Sequence, residues 1–414
     1  MNLPGVKTIC LAFLGVLVGG AAIACAAVSI TNYNRVIMGV QTADMTLAGM
    51  TKGDALTYFE KKAAHQMKDG AIRLAYGDQE WLITPEDIGL KAGSEEAAAT
   101  AYGFGHTGQP LKDLQTQLRL AVFGQQVTME AAYDKDKLEG KLAEIAAAIH
   151  ASPTSAYCTM DAATGLIQKF PGVVGRKLDI PPIVEQVDEK LLALRLPVRV
   201  ELEPTEEYPP VQDKDLANIN GILASYTTRF YPGDRGDNIA LAASHLNNVL
   251  LRTGETFSFN TTVGPRTAAA GYKDAGVIID GRMAQDVGGG VCQVSSTLYN
   301  AILLANLTPT VRTSHFFPST YCPPGLDATV ADGLIDFQFQ NRLAHNVYLM
   351  SQVGYGTLTV YVLGTVGDLA GNTVSLTSDG SYLTPTVYRL YSRDGTVVDR
   401  EYLHTDHYST PVTD

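Results

Sequence analysis

The chain is short of cysteine. Five occur in 414 residues, and two of them, Cys10 and Cys25, fall in the apolar first thirty positions. That leaves Cys158, Cys292 and Cys322, too few for the disulfide framework that staples small secreted domains. No Cys-x-x-Cys pair is present, so the usual sequence sign of a zinc or dithiol redox site is missing. Histidine is scarce as well. His404 and His407 sit in the tail without an evident third ligand, and neither a metal nor a cofactor is expected. Basic charge is the third shortage: 31 Lys and Arg stand against 43 Asp and Glu, a formal net charge of −12. The only dense cationic cluster is Lys61-Lys62, which argues against nucleic acid as the main partner.

Charge is absent altogether from residues 8–30, which are mostly apolar. As a helix this stretch would be roughly 34 Å long, enough to cross a bilayer core. Lys7 and the amino terminus precede it, which predicts a cytoplasmic N-terminus. A single-pass membrane anchor over positions 1–31 is the expectation. A signal peptide cleaved near Ala24-Cys25-Ala26 is one alternative. A lipoprotein signal modifying Cys25 is another, although Ala22 stands where leucine is usual. All three place residue 32 onward outside the cytoplasm.

From residue 40 onward, helix and strand patterns alternate. Thr51 is placed to cap a helix. Residues 71–76 and 80–84 read as strands paired around Gly77-Asp78, and a helix is predicted over 94–102. A looser echo comes next: a helix over 134–149, strands over 155–160 and 165–170, a helix over 183–194 and a strand over 196–202. The acidic, proline-bearing stretch 205–215 reads as a linker. Beyond it, Asn238 is placed to cap a helix with Ile239, Ala242, Leu246 and Val249 on one face. Val294, Leu298, Ile302 and Ala305 share the face of a second helix. Strands are expected over 310–314, 334–339, 346–350 and 358–363, and a tail hairpin turns at Asp394-Gly395.

Between these helices lies Val287-Gly-Gly-Gly-Val-Cys292-Gln-Val-Ser-Ser-Thr. The glycines let the backbone turn sharply. The cysteine then sits at a helix start, where the positive end of the helix dipole favours thiolate over thiol.

Several motifs recur in order: Gly254-Glu-Thr-Phe-Ser-Phe-Asn260, Val263-Gly-Pro-Arg-Thr267, Gly271-Tyr272, Gly288-Gly-Gly-Val-Cys-Gln-Val-Ser-Ser-Thr-Leu-Tyr-Asn-Ala301, Ser314-His315, Pro324-Gly-Leu-Asp-Ala-Thr-Val330 and Asp336-Phe-Gln-Phe-Gln-Asn341. Together they resemble the VanW family, bacterial envelope proteins named for a glycopeptide-resistance gene cluster. Residues 45–202 resemble the peptidoglycan-binding repeats that often precede a VanW domain. The tail around Tyr388-Arg-Leu-Tyr391 resembles part of a cell-wall-associated G5 module. The resemblance implies an envelope location and peptidoglycan, or its stem peptides, as partner; it assigns no reaction.

The fold class expected is α+β. An N-terminal transmembrane helix is followed by repeats over 40–125 and 126–204, a linker, a VanW domain over 216–365 with a papain- or transglutaminase-like core, and a β tail over 366–414. Two functions stand side by side. One is a membrane-anchored protein that binds peptidoglycan through its repeats. The other is a cysteine-dependent amidase, peptidase or transpeptidase acting on wall peptides. In the second, Cys292 is the nucleophile, His315 the base, and Asp327 or Asp336 the group that orients the imidazole. Gln293 and the Cys292 N–H are candidates for the oxyanion. Arg266, Arg312 and Tyr272 are candidates for holding substrate, the arginines through a carboxylate. Against this, free cysteine is among the most buried residue types, and the glycines equally suit close helix packing. Arg235-Gly-Asp237 is a common tripeptide. Gly103-Phe-Gly105-His-Thr-Gly108 follows a helix and so lacks the strand that a dinucleotide fingerprint needs.

Overall fold

A computed structural model describes residues 30–161, 163–279 and 282–410. They form two compact units: residues 30–152 with 175–207, and residues 153–174 with 208–410. The architecture is mixed α+β, and one expectation is corrected. Among the described residues no helix is long and apolar enough to cross a membrane. The span expected at 8–30 lies, but for its last residue, outside the described residues. A transmembrane helix is therefore not part of the described fold, and single-pass anchoring loses its support.

In the first unit, Thr51 caps the helix Lys52–Lys68 through a reciprocal pair. The Asp54 N–H donates to the Thr51 hydroxyl at 3.1 Å, and the Asp54 carboxylate accepts from the Thr51 N–H at 3.0 Å. The strands Ile72–Tyr76 and Gln79–Ile83 turn at Gly77, whose φ of 57 suits glycine. The strand Val198–Glu201 then runs parallel to Ile72–Tyr76. The helices Lys135–Ile149 and Ile180–Leu192 add Leu138, Leu142, Val187 and Leu191 to the same core. The hairpin near the start of the chain thus belongs to the core of later elements. A second core gathers Val36, Leu47, Phe59, Ala101 and Leu120, the last from the helix Pro110–Phe123.

The second unit is built on a four-stranded antiparallel sheet. Its order is Gly221–Arg229, Thr357–Gly364, Val347–Gly354, Val249–Leu251. The helices Asp234–Ser244 and Val291–Leu304 contribute Ile239, Ala242, Val294, Leu298 and Ile302 to one large core. Each fully buried aliphatic side chain there contributes about 1.5–3 kcal/mol. The first of these helices starts earlier than the sequence suggests. Gly233 is its N-cap, and Asn238 is an interior, buried residue. Besides the two-stranded pair of Tyr157–Met160 with Ile167–Phe170, three more sheets belong to the unit. One joins Thr256–Ser258, Gln338–Gln340 and Thr308–Val311. One is the hairpin Asp274–Ile279 with Arg282–Val287. The third is the tail, Thr373–Ser381, Thr384–Arg393 and Thr396–Thr405. Asp394 and Gly395 both have positive φ at its second turn, the geometry that the Asp-Gly pair favours.

Candidate functional site

The site begins with the three glycines, and each answers a different contact. At Gly289 a Cβ would lie 2.7 Å from the backbone of Ala275. At Gly290, φ is 106, and a Cβ would lie 2.9 Å from Arg235 Nη1. At Gly288, φ is 85, and a Cβ would press on Arg266 at 3.0 Å. The buried Asn238 fastens this turn, donating from Nδ2 to the Gly289 carbonyl at 3.0 Å and to the Lys273 carbonyl at 2.8 Å. Close approach of three backbone segments is what the glycines allow. It brings Cys292 to the second position of the helix Val291–Leu304.

The polar residues after Cys292 tie this helix to the loop that carries the other functional groups. Ser295 Oγ donates to the Ala328 carbonyl at 2.6 Å. Ser296 Oγ donates to the Cys292 carbonyl at 2.7 Å and accepts from the Ala328 N–H at 2.9 Å. Asn300 Nδ2 donates to the Leu326 carbonyl at 2.6 Å. Buried hydroxyls and amides need such partners. Here their partners are the backbone on both sides of Asp327, so helix and loop are held in fixed register.

Asp327 is 1% exposed. Its Oδ2 accepts from the His315 N–H at 2.7 Å and lies 2.5 Å from His315 Nδ1. Its Oδ1 accepts from Arg312 Nη2 at 3.0 Å and from the Tyr408 hydroxyl. With Nδ1 held by the carboxylate, the other ring nitrogen of His315 is left to interact with the Cys292 thiol, and each group shifts the pKa of the other. In its thiol form Cys292 also reaches the Val330 carbonyl at 3.3 Å.

The electrostatics push Cys292 and His315 in the direction of an ion pair. Burial pushes the Cys292 thiol up, but the hydrogen bond and positive charge of His315, the Val330 backbone and Arg266 together hold it below the ordinary thiol value. Burial alone would lower His315; Asp327 and Cys292 overcome it and raise the imidazole to about 9. Burial likewise disfavours the Asp327 carboxylate, yet His315, Arg312 and Tyr408 hold its pKa well below the usual carboxylate range. Together these shifts move Cys292 toward thiolate and His315 toward imidazolium beside an ionised Asp327.

Cys292 and His315 line a cavity of about 670 Å³ together with Arg235, Arg266, Tyr321 and Val330, while Asp327 lies buried behind the imidazole. That volume lies within the range of small-molecule and peptide sites.

The structure places the remaining sequence candidates elsewhere or gives them other partners. Asp336 binds Ser258 Oγ at 2.6 Å and the Asn260 N–H at 2.9 Å, so it caps a short helix and does not touch His315. Gln293 is 1% exposed. Its amide donates to Thr228 Oγ1 at 3.0 Å and the Arg229 carbonyl at 2.9 Å, and its oxygen accepts from Arg235 Nη2 at 3.1 Å. Neither end is free for an oxyanion. Arg312 is buried among Asp327, Asp406 (2.5 Å from Nη1) and the Gly325 carbonyl, and it braces the aspartate. Arg266 lines the cavity, with Asp332 paired to it and Asn260 Oδ1 2.7 Å from Nη2. Tyr272 is 3% exposed and belongs to the core. Cys322 is a free thiol beside Ser319 Oγ at 3.1 Å, so no disulfide joins it to Cys292.

Three contributors have little sequence signal. Arg235, passed over as part of a common tripeptide, lines the cavity with Nη1 buried and unpartnered. Tyr321 stands on a wall of the cavity. Tyr408 arrives from the tail, where its hydroxyl accepts from the Gly325 N–H at 2.9 Å.

Fold and cavity thus define an α+β domain whose helix-borne thiol faces a buried imidazole–carboxylate pair. Residues 234–363 match the family described as VanW like protein, and residues 81–198 match one described as "Putative peptidoglycan binding domain". The chain therefore carries a VanW-like domain and a domain of that peptidoglycan-binding family. Neither match extends into the tail beyond residue 363. The chain is 38% identical over 193 residues to the uncharacterized protein YoaR of Bacillus subtilis, a match covering 46% of this chain and 63% of YoaR. It is 34% identical over 127 residues to the vancomycin B-type resistance protein VanW of Enterococcus faecalis, covering 29% of this chain and 46% of that protein. These two relatives are homologues that the chain spans for less than two thirds of their length. No solved structure matches.

Proposed function

We propose that the protein is a cell-wall-associated thiol enzyme whose VanW-like domain acts on peptide amides of peptidoglycan. The observation that carries the reading is the buried His315–Asp327 hydrogen bond with His315 and Cys292 lining one cavity and interacting electrostatically. The wall as target is supported by the peptidoglycan-binding family match.

The chemistry derives from the protonation states. The Cys292 thiolate attacks an amide carbonyl carbon, forming a C–S bond and a tetrahedral oxyanion. As the oxyanion collapses, the C–N bond breaks, and His315 gives its proton to the departing amine. A thioester remains on Cys292. Water or a second amine then attacks it, His315 takes the proton of the attacking group, and the thiolate leaves. Water gives hydrolysis; an amine gives a new crosslink. Asp327 holds the imidazole in the required tautomer throughout. Arg312, Asp406 and Tyr408 hold Asp327.

The test is incubation of purified wall sacculi with the protein and with Cys292→Ala, followed by mass spectrometry of the muropeptides. New amine termini or crosslinks are expected with the wild type alone, and both proteins should be retained on the sacculi. Identical muropeptides from the two proteins would leave only the wall-binding role.

A further inference from the structure

With both ends of Gln293 occupied, the site needs another side-chain donor for the tetrahedral oxygen. We infer that the Tyr321 hydroxyl donates a hydrogen bond to the oxyanion formed at Cys292, an inference that rests on the thiol-enzyme reading above.

Four observations converge. Tyr321 lines the same cavity as Cys292 and His315. Its ring meets His315 edge-on, with centroids 6.4 Å apart and planes at 79°. Its hydroxyl lies 3.5 Å from Ser296 Oγ, at the outer limit of a hydrogen bond, so the donor is underused. Ser296 is one helical turn beyond Cys292 and donates to the Cys292 carbonyl at 2.7 Å. The phenol therefore overlooks the helix face that carries the sulfur. Burial, and then the nearby charge of Cys292, push the Tyr321 pKa well above the ordinary 10, so the hydroxyl keeps its proton. A neutral donor held beside the thiol needs no reorganisation when negative charge moves from sulfur to oxygen. The Cys292 backbone N–H is its partner: it occupies the first helical turn, whose N–H groups lack intrahelical acceptors. The rival hydroxyl is Thr329, which also lines the cavity and whose Oγ1 is buried without a partner.

The experiment compares two reactions of the same sulfur in the full chain. Acylation by p-nitrophenyl acetate passes through a tetrahedral oxyanion; alkylation by iodoacetamide does not. The expected result is that Tyr321→Phe slows the nitrophenolate burst about 10²-fold while alkylation of Cys292 keeps its rate. Thr329→Val is expected to leave both rates unchanged. The inference is overturned if Tyr321→Phe leaves acylation intact, if acylation and alkylation fall together, or if Thr329→Val alone slows acylation. If wild type and Cys292→Ala give the same burst, the thiol-enzyme reading fails first and takes this inference with it. Preserved alkylation with lost acylation is the split that a purely structural role for Tyr321 would not produce.

Discussion

Two histidine–aspartate pairs in the second unit are built alike and sit in different surroundings. At His315, the backbone N–H and Nδ1 both meet Asp327, at 2.7 and 2.5 Å. At His345, the backbone N–H and Nδ1 both meet Asp368, at 3.1 and 2.8 Å. The His345 side chain is 38% exposed, against 8% for His315. The His315 pair has a thiol on its far side and an arginine behind its carboxylate. The dyad itself is thus a common way to hold a loop. Burial, a sulfur and a cavity make one copy a candidate for chemistry.

The largest effect expected from breaking this contrast is on turnover. His315→Ala should lower acylation of Cys292 about 10⁴-fold, while His345→Ala leaves it unchanged; nitrophenolate burst kinetics measure both. Next comes Asp327→Asn, which keeps the shape but loses the carboxylate. It should cost about 10³-fold or more in the same assay, with Asp368→Asn showing no change.

Stability provides the third comparison. Arg312→Met removes the guanidinium that the buried Asp327 and Asp406 share, which should cost about 3–5 kcal/mol in denaturant unfolding. Removing the half-exposed His345 should cost about 1 kcal/mol or less. Asp327 adds a smaller, pH-dependent effect. Its depressed folded pKa contributes stability that is present above the unfolded carboxylate value of about 3.9 and lost as pH falls through the lower folded value. Asp327→Asn should therefore flatten the acid limb of the unfolding curve, as read by circular dichroism.

The same contrast shows what was legible in the chain. Glycine, cysteine and helical periodicity mark the helix Val291–Leu304, because those signals are local. The choice between Asp327 and Asp336 was not legible. It depends on a loop pinned by Ser295, Ser296 and Asn300, whose hydroxyls and amide look like unremarkable helix residues in sequence. Gln293 misled for a related reason: it adjoins the nucleophile along the chain but points to Arg235 and the sheet. The helix Pro110–Phe123 was missed behind a glycine-rich loop. The strand Thr373–Ser381 alternates only at Val374 and Leu376 before a polar, glycine-bearing second half ends the pattern. The parallel pairing of Val198–Glu201 with Ile72–Tyr76 joins residues more than a hundred positions apart, and such pairing leaves no local mark.

The central claim is that sulfur and ring form a charged pair near neutrality, and alkylation of Cys292 across pH tests it most directly. Iodoacetamide labelling, followed by mass spectrometry from about pH 5 to about pH 10, should show substantial reactivity well below the ordinary thiol range of about 8.5. His315→Ala should push the onset upward, because the positive charge that stabilises the thiolate is gone. A labelling rate that climbs only in the ordinary thiol range, and is the same in His315→Ala, would contradict the charged pair.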